Sequence, residues 1–295
     1  MNINKVYILE DRGIIYINGD DTENFLQNLI SNDISRINEN FSTFASLLSP
    51  QGKYLFEFII VKYKKGFLIE CEKTIVDNLL KLLNSYKLRS KIEILNLSNE
   101  FVIAVLEKDK FLEMSNAQNK CGYTIKFRED PIFLDPRNED LGARIIINLE
   151  KLHLSLKKLN LKSANVMEYY KKSFDLGIPQ KNLNELNNKL FGIECNLEEL
   201  NGLDFKKGCY IGQENTARIK LKAKLNKRLF GITLINGELS DNLIIDNKNK
   251  EIGKLLIKEP FPFGLIKFKE KEFNFNNFYK CGTATITINK PFWNK

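Results

Sequence analysis

The order of predicted strands and helices in the first 106 residues most constrains the fold. Apolar periodicity predicts strands at residues 6–9 and 14–17 and a helix that begins near Asp20. A hairpin, a second helix and two further strands follow, at residues 54–63, 67–71, 75–86, 91–95 and 101–106. Because pairs of strands alternate with helices, this order predicts a mixed α+β sheet with helices on one face, and not a doubly wound parallel fold.

The character of the sequence changes after Arg228. Short apolar segments broken by Gly, Asn and Pro follow at residues 229–235, 243–245, 252–257, 264–268 and 284–288. This pattern predicts a small all-β module over residues 229–295. Residues 1–228 form the other predicted region, in which residues 107–143 are expected to be rich in loops.

The composition is that of a folded, soluble chain. Of its 295 residues, 43% are hydrophobic and 28% are charged, which argues against disorder as the main state. No run of about 18 apolar residues occurs, so neither a membrane-spanning helix nor a membrane partner is expected. Residues 1–10 lack a secretory or transit pattern, which favours a cytoplasmic location. A monomer is the expected state.

Excess positive charge is concentrated in residues 206–228. This segment holds eight basic side chains and one acid, Glu214, and so supplies most of the formal net charge of +8. Charge gathered beside one cysteine, Cys209, favours an anion-binding site over a merely solubilising surface.

The cysteines do not form a local metal or disulfide motif. They stand at positions 71, 121, 195, 209 and 281, with no CxxC pair, so no permanent metal site is expected. His153 is the only histidine, which argues against histidine-based dyads and triads. For Cys209 two interpretations remain open. Its glycine and lysine neighbours favour a reactive thiolate, whereas a lone cysteine is usually buried and inert.

Several short motifs occur in a fixed order along the N-terminal three-quarters of the chain. They are Gly19-Asp20-Asp21, Leu48-Ser49-Pro50-Gln51-Gly52-Lys53, Tyr86-Lys87-Leu88-Arg89-Ser90-Lys91, Asp135-Pro136-Arg137 with Leu141-Gly142-Ala143-Arg144, Gly177-Ile178-Pro179, and Lys207-Gly208-Cys209-Tyr210-Ile211-Gly212-Gln213-Glu214. In these strings the chain closely resembles the YgfZ branch of the glycine-cleavage T-protein superfamily, and the last string is the signature of that branch.

The resemblance implies an α+β fold, a ring of two mixed α+β subdomains closed by a C-terminal small β-barrel. The two subdomains would share a folate-binding opening within residues 1–228, the second being inserted at roughly residues 45–115, and the barrel would occupy residues 229–295. The implied function is that of a folate-binding accessory protein that supports the assembly or repair of iron–sulfur enzymes. A folate-dependent aminomethyl- or methyltransferase is the alternative.

Cofactor and partners follow from the same resemblance. Tetrahydrofolate is the implied cofactor, and iron–sulfur proteins such as tRNA-thiolating enzymes are the implied partners. A weak contact with tRNA itself, through the basic residues 218–228, is a separate hypothesis that rests on their charge. From residue 219 to 225 apolar side chains alternate with Lys220, Lys222 and Lys224, which predicts a strand with one basic face. Such a face could bind a folate polyglutamate tail or RNA phosphates, or it could protect an edge strand from aggregation.

The resemblance also implies roles for individual residues. Glu194 occupies the position of the glutamate that hydrogen-bonds the pterin, a role that suits a carboxylate facing two parallel N–H donors; a surface glutamate at a helix start is the alternative. The other implied cofactor-binding residues are Arg144, Lys207, Gly208, Gln213 and Arg218.

Two further residues are implied for the chemistry itself. Cys209 is the implied functional thiol, either as a nucleophile or as the ligand of a transiently bound cluster shared with a partner. Glu57 lies near the position of the aspartate that acts on the folate nitrogen in T-protein enzymes. Its side chain is one methylene longer, which weakens the case for aminomethyl transfer, and it could equally be a solvent-facing residue of its strand.

Overall fold

The computed structural model describes residues 4–221, 225–269 and 273–293, in two compact units. Unit 1 comprises Met1–Leu48, Phe56–Tyr169 and Glu198–Ile211, and unit 2 comprises Ser49–Leu55, Tyr170–Leu197 and Gly212–Lys295. Among the helices of the described residues, none is both long and apolar enough to cross a membrane. The domain bounds given above, at roughly 45–115 and at 229–295, stay predictions.

The described residues form strands and helices as follows. In chain order the strands are β1 (Lys5–Leu9), β2 (Arg12–Asn18), β3 (Thr43–Leu48), β4 (Tyr54–Tyr63), β5 (Gly66–Glu72), β6 (Glu93–Asn96), β7 (Phe101–Leu106), β8 (Thr124–Phe127), β9 (Asp130–Leu134), β10 (Ala143–Asn148), β11 (Lys162–Ser163), β12 (Lys227–Asn236), β13 (Leu243–Ile245), β14 (Glu251–Ile257), β15 (Phe263–Lys267), β16 (Tyr279–Cys281) and β17 (Ala284–Ile288). The helices are α1 (Thr22–Leu29), α2 (Val76–Lys87), α3 (Lys108–Leu112), α4 (Leu152–Lys158), α5 (Val166–Asp175) and α6 (Gln213–Leu221), with short 3-10 helices at Ile34–Arg36, Lys73–Ile75, Glu139–Leu141, Leu149–Lys151, Leu183–Leu186 and Gly192–Cys195.

One sheet of unit 1 has the strand order β11–β1–β7–β10–β9–β8. Its pairs are antiparallel except that of β11 with β1, which is parallel. β7 is buried along its whole length, which accounts for its continuous apolar sequence. Leu152 and Leu156 of α4 belong to the apolar core on this sheet, so the helix covers part of one face.

The second sheet of unit 1 has the order β3–β4–β5–β2–β6. α2 packs against β2 and β6 and buries Leu79 and Leu83, which recur at helical spacing. Phe25, Leu26 and Leu29 form the corresponding buried face of α1. The apolar positions that predict these two helices are therefore the ones that pack into the core.

Unit 2 carries a closed barrel in which the strands follow the order β12–β15–β14–β13–β16–β17. Its interior is filled by fully buried aliphatic side chains, among them Ile232, Ile244 and Ile266. An aromatic cluster packs around the same core, formed by Phe230, Phe268, Phe273, Phe275 and Trp293. Closure pairs both edges of these described strands, which protects them from pairing with other chains.

The mixed sheets and the C-terminal barrel confirm the predicted α+β fold class. The strand predicted at residues 219–225 is wrong over residues 219–221, which form the last turn of α6. Residue 225 is described and lies in no strand, and residues 222–224 lie outside the described residues. α6 begins after Gly212, whose φ of 85° is in the left-handed region that glycine adopts readily. Both the N–H and the hydroxyl of Thr216 donate to the carbonyl oxygen of Gly212, so a helical turn precedes residue 219, and the helix continues to Leu221.

Candidate functional site

A loop in unit 1 presents an exposed cysteine between two buried side chains. Gly208 and Cys209 are exposed, whereas Lys207 and Tyr210 are each only 7% exposed. The alternative that Cys209 is buried is therefore wrong. A Cβ placed at Gly208 would meet no atom within 4 Å, so the space beside the thiol is open. A contact of Gly208 with a ligand stays a prediction.

Lys207 anchors this loop to the C-terminal end of α1. Its Nζ donates to the carbonyl oxygens of Gln27, Ile30 and Asn32 at 2.7, 2.8 and 2.8 Å, and a helix end leaves such carbonyls without intrahelical partners. Burial lowers the pKa of Lys207 to about 8, while the three carbonyl acceptors favour its charged form. These bonds use all three N–H donors of the ammonium group. The geometry thus gives Lys207 an anchoring role in place of the predicted anion contact.

The remaining cysteines are less accessible than Cys209. Cys71, Cys195 and Cys281 are buried and Cys121 is partly buried, and burial raises the pKa of Cys71 to about 12. Thiols that stay protonated are poor nucleophiles and poor metal ligands. In residues 4–221, 225–269 and 273–293, no three His, Cys, Asp or Glu side chains come together as a metal site. Cys209 is the cysteine best placed to meet a molecule from outside.

Arg144, on β10, lies at the centre of a buried ion network that joins the two sheets of unit 1. It is fully buried, and its Nε and Nη1 donate to Asp135 Oδ2 and Glu70 Oε1, both at 2.9 Å. Its Nη2 donates to the hydroxyl oxygen of Tyr169 at 2.6 Å, and Arg12 Nε donates to the same oxygen of Glu70. The cofactor-binding role predicted for Arg144 is not supported, because its guanidinium is enclosed and bonded to protein groups.

Arg137 extends the network toward Glu57. Its Nε and Nη2 donate to the two carboxylate oxygens of Asp135 at 3.0 and 2.8 Å, a bidentate pair. Burial opposes the ionisation of Asp135, but the guanidinium groups of Arg137 and Arg144 outweigh it and hold the pKa of this carboxyl below its usual range. Glu57 is 4% exposed and its Oε1 lies 4.0 Å from Arg137 Nη1. The alternative of a solvent-facing Glu57 is therefore wrong.

Unit 2 holds Glu194, in the 3-10 helix Gly192–Cys195. Its Oε2 accepts a hydrogen bond from the backbone N–H of Phe191 at 2.8 Å. Burial raises the pKa of Glu194, while this hydrogen bond and the charges of Lys53 and Lys227 act in the opposite direction. Lys53 Nζ also lies 3.9 Å from the centre of the Phe191 ring. The result is a half-buried carboxylate in a positive environment, with lone pairs left for a ligand.

Gln213 and Arg218 lie on α6 of unit 2. Arg218 is exposed, and its Nη2 donates to Asn215 Oδ1 at 2.5 Å. Gln213 and Arg218 line a cavity of about 450 Å³ together with Glu214, Ala217 and Leu221. The structure therefore brings these two predicted residues to one surface of one helix.

Most of the ion network lies outside the sequence motifs. The strings with Asp135-Pro136-Arg137 and with Arg144 marked part of it, but Arg12, Glu70 and Tyr169 belong to no motif. A usable signal was the presence of a charge inside an apolar strand, as in Phe-Leu-Ile-Glu-Cys around Glu70. A charge in a buried strand has to be paired, so each such residue predicts a buried partner of opposite charge elsewhere in the chain.

The substitution Arg144→Met tests the network. It should lower the free energy of unfolding by about 3–5 kcal/mol, because Glu70 and Asp135 stay buried with one partner fewer. Urea unfolding measures the change. Lys151→Met, at an exposed position, is the control and should change stability by less than about 0.5 kcal/mol. An Arg144→Met protein as stable as the parent would contradict the assignment.

The substitution Lys207→Met tests the anchor of the thiol loop. It leaves three carbonyl oxygens at the end of α1 without their donor, which should cost about 1–3 kcal/mol. Lys206→Met, at the exposed neighbouring position, is the matched control and should be nearly neutral. Equal loss of stability in both variants would show that the three hydrogen bonds do not matter.

Curated proteins similar to this chain are named as iron–sulfur cluster assembly factors. The mitochondrial iron–sulfur cluster assembly factor IBA57 homolog of Dictyostelium discoideum is 26% identical over 274 residues, which cover 81% of this chain and 64% of the relative. Its counterpart in Neurospora crassa is 28% identical, covering 75% and 52%, and that of Mus musculus is 27% identical, covering 77% and 65%. The chain thus spans about half to two thirds of the length of these relatives. No protein-family model matches it.

The names of these relatives contradict the cytoplasmic location expected from the sequence, since all three are called mitochondrial. The expectation rested on the lack of a recognisable targeting pattern in residues 1–10. A pattern that is missing from a short segment does not report where a protein works.

A solved structure with the same architecture is that of the glycine cleavage system aminomethyltransferase T from Bartonella henselae. It matches with a TM-score of 0.74 at 11% identity, over 97% of this chain and 85% of that one. At this identity the likeness concerns the fold. The chain therefore has the fold of aminomethyltransferase T, in keeping with the superfamily that its motifs resemble, and is similar in sequence to iron–sulfur cluster assembly factors.

Proposed function

We propose that this protein is an accessory factor that supports the assembly or repair of iron–sulfur proteins. The observation that carries the proposal is Cys209, an exposed thiol in a loop anchored by buried side chains on both sides. The names of the similar proteins, which are iron–sulfur cluster assembly factors of mitochondria, support both this function and a mitochondrial location.

An iron–sulfur cluster would be the cargo of the protein. Clusters are commonly held by four Cys thiolates, and Cys209 offers one of them. The other ligands would come from a second protein, and attachment through one thiolate suits the transfer of a cluster better than its storage. The open space beside Gly208 leaves room for the chain of such a partner.

The proposed partners are iron–sulfur proteins, among them tRNA-thiolating enzymes, as the resemblance to the YgfZ branch implies. The positive charge of residues 206–228 supports a weak, salt-dependent contact with tRNA phosphates. A monomeric state belongs to the same proposal.

Tetrahydrofolate is the cofactor that we propose for unit 2. The half-buried carboxylate of Glu194 fits the pterin edge, because a carboxylate can accept two parallel N–H bonds. Gln213 and Arg218 are candidates for contacts with the rest of the ligand. Arg144 and Lys207 do not fit, since their donors bind protein acceptors. When bound, tetrahydrofolate supplies a carrier for one-carbon units.

A folate-dependent aminomethyl- or methyltransferase is the second candidate function, and the fold of aminomethyltransferase T favours it. Proton transfer requires a carboxylate within hydrogen-bond reach of the reacting nitrogen. Glu57 is instead buried beside Arg137. The accessory role therefore agrees better with the described geometry.

The thiol is tested by Cys209→Ser in a strain that lacks its own assembly factor of this type. The parent gene should restore iron–sulfur enzyme activity, and the Cys209→Ser gene should restore less than about a tenth of it, because clusters are held by thiolates. Cys121→Ser is the control and should restore activity fully. Substitution at the exposed position 209 should cost less than about 0.5 kcal/mol of stability, so full rescue by Cys209→Ser would sink the proposal.

The cofactor is tested by Glu194→Gln, with tetrahydrofolate binding measured by calorimetry. Loss of a charge-assisted hydrogen bond costs about 1.5–3 kcal/mol, so affinity should fall about ten- to a hundred-fold. Glutamine keeps an oxygen for the N–H of Phe191, so the 3-10 helix stays capped. Glu185→Gln, at a half-exposed position of the same unit, is the control. Unchanged binding in Glu194→Gln would remove this residue from the site.

A further inference from the structure

Unit 1 contains a cavity that none of the roles above uses. Its volume is about 530 Å³, and its lining includes Arg36, Phe41, Lys120, Cys121, Pro136 and Asn201. Sites for small organic ligands span roughly 300–1,000 Å³ and combine apolar walls with a few polar groups. This cavity meets both conditions.

The charge of the lining favours an anion. Arg36 and Lys120 are cations, and no carboxylate side chain lines the cavity among the described residues. Arg36 Nη2 pairs with Asp204 at 2.5 Å, so part of its charge is already balanced. Lys120 Nζ lies 4.4 Å from the centre of the Phe41 ring. The net charge facing the cavity is thus close to that of one cation.

The walls of the cavity are held by hydrogen bonds within unit 1. Asn32 Nδ2 donates to the carbonyl oxygens of Phe44 and Asn201 at 2.8 and 2.7 Å. The backbone N–H of Ser42 donates to the carbonyl oxygen of Gly122 at 2.8 Å. A Cβ at Gly122 would lie 2.4 Å from the carbonyl oxygen of Ser42, so glycine permits this close approach. A preformed cavity spares a ligand the cost of ordering it.

We propose that this cavity binds a small organic anion with one carboxylate next to an aromatic or other apolar body. The carboxylate would pair with Lys120 and with the N–H groups of Arg36 that do not face Asp204. The apolar body would lie against Phe41 and Pro136. Neither Glu194 nor Cys209 is among the residues that line this cavity.

The cavity wall is continuous with the thiol loop. The carbonyl oxygen of Asn32, a lining residue, accepts a hydrogen bond from Lys207 Nζ. Asp204, the partner of Arg36, accepts another from the backbone N–H of Lys206 at 2.7 Å. A ligand that draws Arg36 toward itself therefore acts on the segment that carries Cys209.

The test follows the alkylation of Cys121 in the Cys209→Ser protein, so it does not rest on the proposed function. In that protein the partly buried Cys121 is the most accessible thiol. It is treated with neutral iodoacetamide at mildly alkaline pH, because burial raises its pKa, and the modified peptide is measured by mass spectrometry. Benzoate should slow the reaction about two-fold at half occupancy and further toward saturation. Benzamide, which has the same shape without the charge, should need at least about a five-fold higher concentration.

Variants separate the cavity from unspecific effects. Lys120→Gln should raise the benzoate concentration for half-protection about five-fold, whereas Lys151→Gln, at an exposed position outside the lining, should leave it unchanged. The proposal is overturned if benzoate and benzamide protect equally, or if neither protects. Protection by tRNA alone would also overturn it, because the surface would then be a contact for RNA.

Discussion

The ion pair between Arg144 and Glu70 determines how the two sheets of unit 1 can pack, because it joins β10 of one sheet to β5 of the other. Each of these charges would cost several kcal/mol to bury alone, so the contact between them favours the packing in which the two sheets bring them together. Asp135 and Arg12 complete the pairing on the two sides. Packing displaced by one residue would separate charges from their partners, and the network therefore penalises such packing more than an apolar contact would.

Long periodic segments of the fold could be predicted from the sequence because their apolar positions are set by the core that they face. β7 was predicted at residues 101–106 and has those bounds, and the hairpin of β4 and β5 also formed where it was expected. Residues 107–143 are rich in loops, as expected, but they also contain α3, β8 and β9, which were not predicted. β9 is short, but it pairs with β8 on one side and β10 on the other. Such strands owe their form to neighbours in the sheet, which local propensity does not reveal.

In the candidate site, too, features set by neighbouring residues could be predicted from the sequence, whereas features set by distant residues could not. The position of Cys209 in a glycine-flanked motif could be read from the chain, and its exposure agrees with that reading. The role of Lys207 could not be predicted, because the three carbonyl oxygens that its ammonium group contacts lie at least 175 residues away in sequence. A cluster of basic residues looks the same in sequence whether its members meet a ligand or the end of a helix. The buried role of Arg144 could not be predicted either, because its partners Asp135, Glu70 and Tyr169 come from three separate segments of the chain.

The unobstructed backbone at Gly208 has a practical consequence. A Cβ there would meet no heavy atom within 4 Å apart from its chain neighbours, and the φ of this glycine lies outside the left-handed region. Position 208 can therefore carry a fluorescent amino acid while the anchors at Lys207 and Tyr210 stay intact. The emission of such a label would report in real time when a visiting molecule docks onto the adjacent sulfur and when it departs.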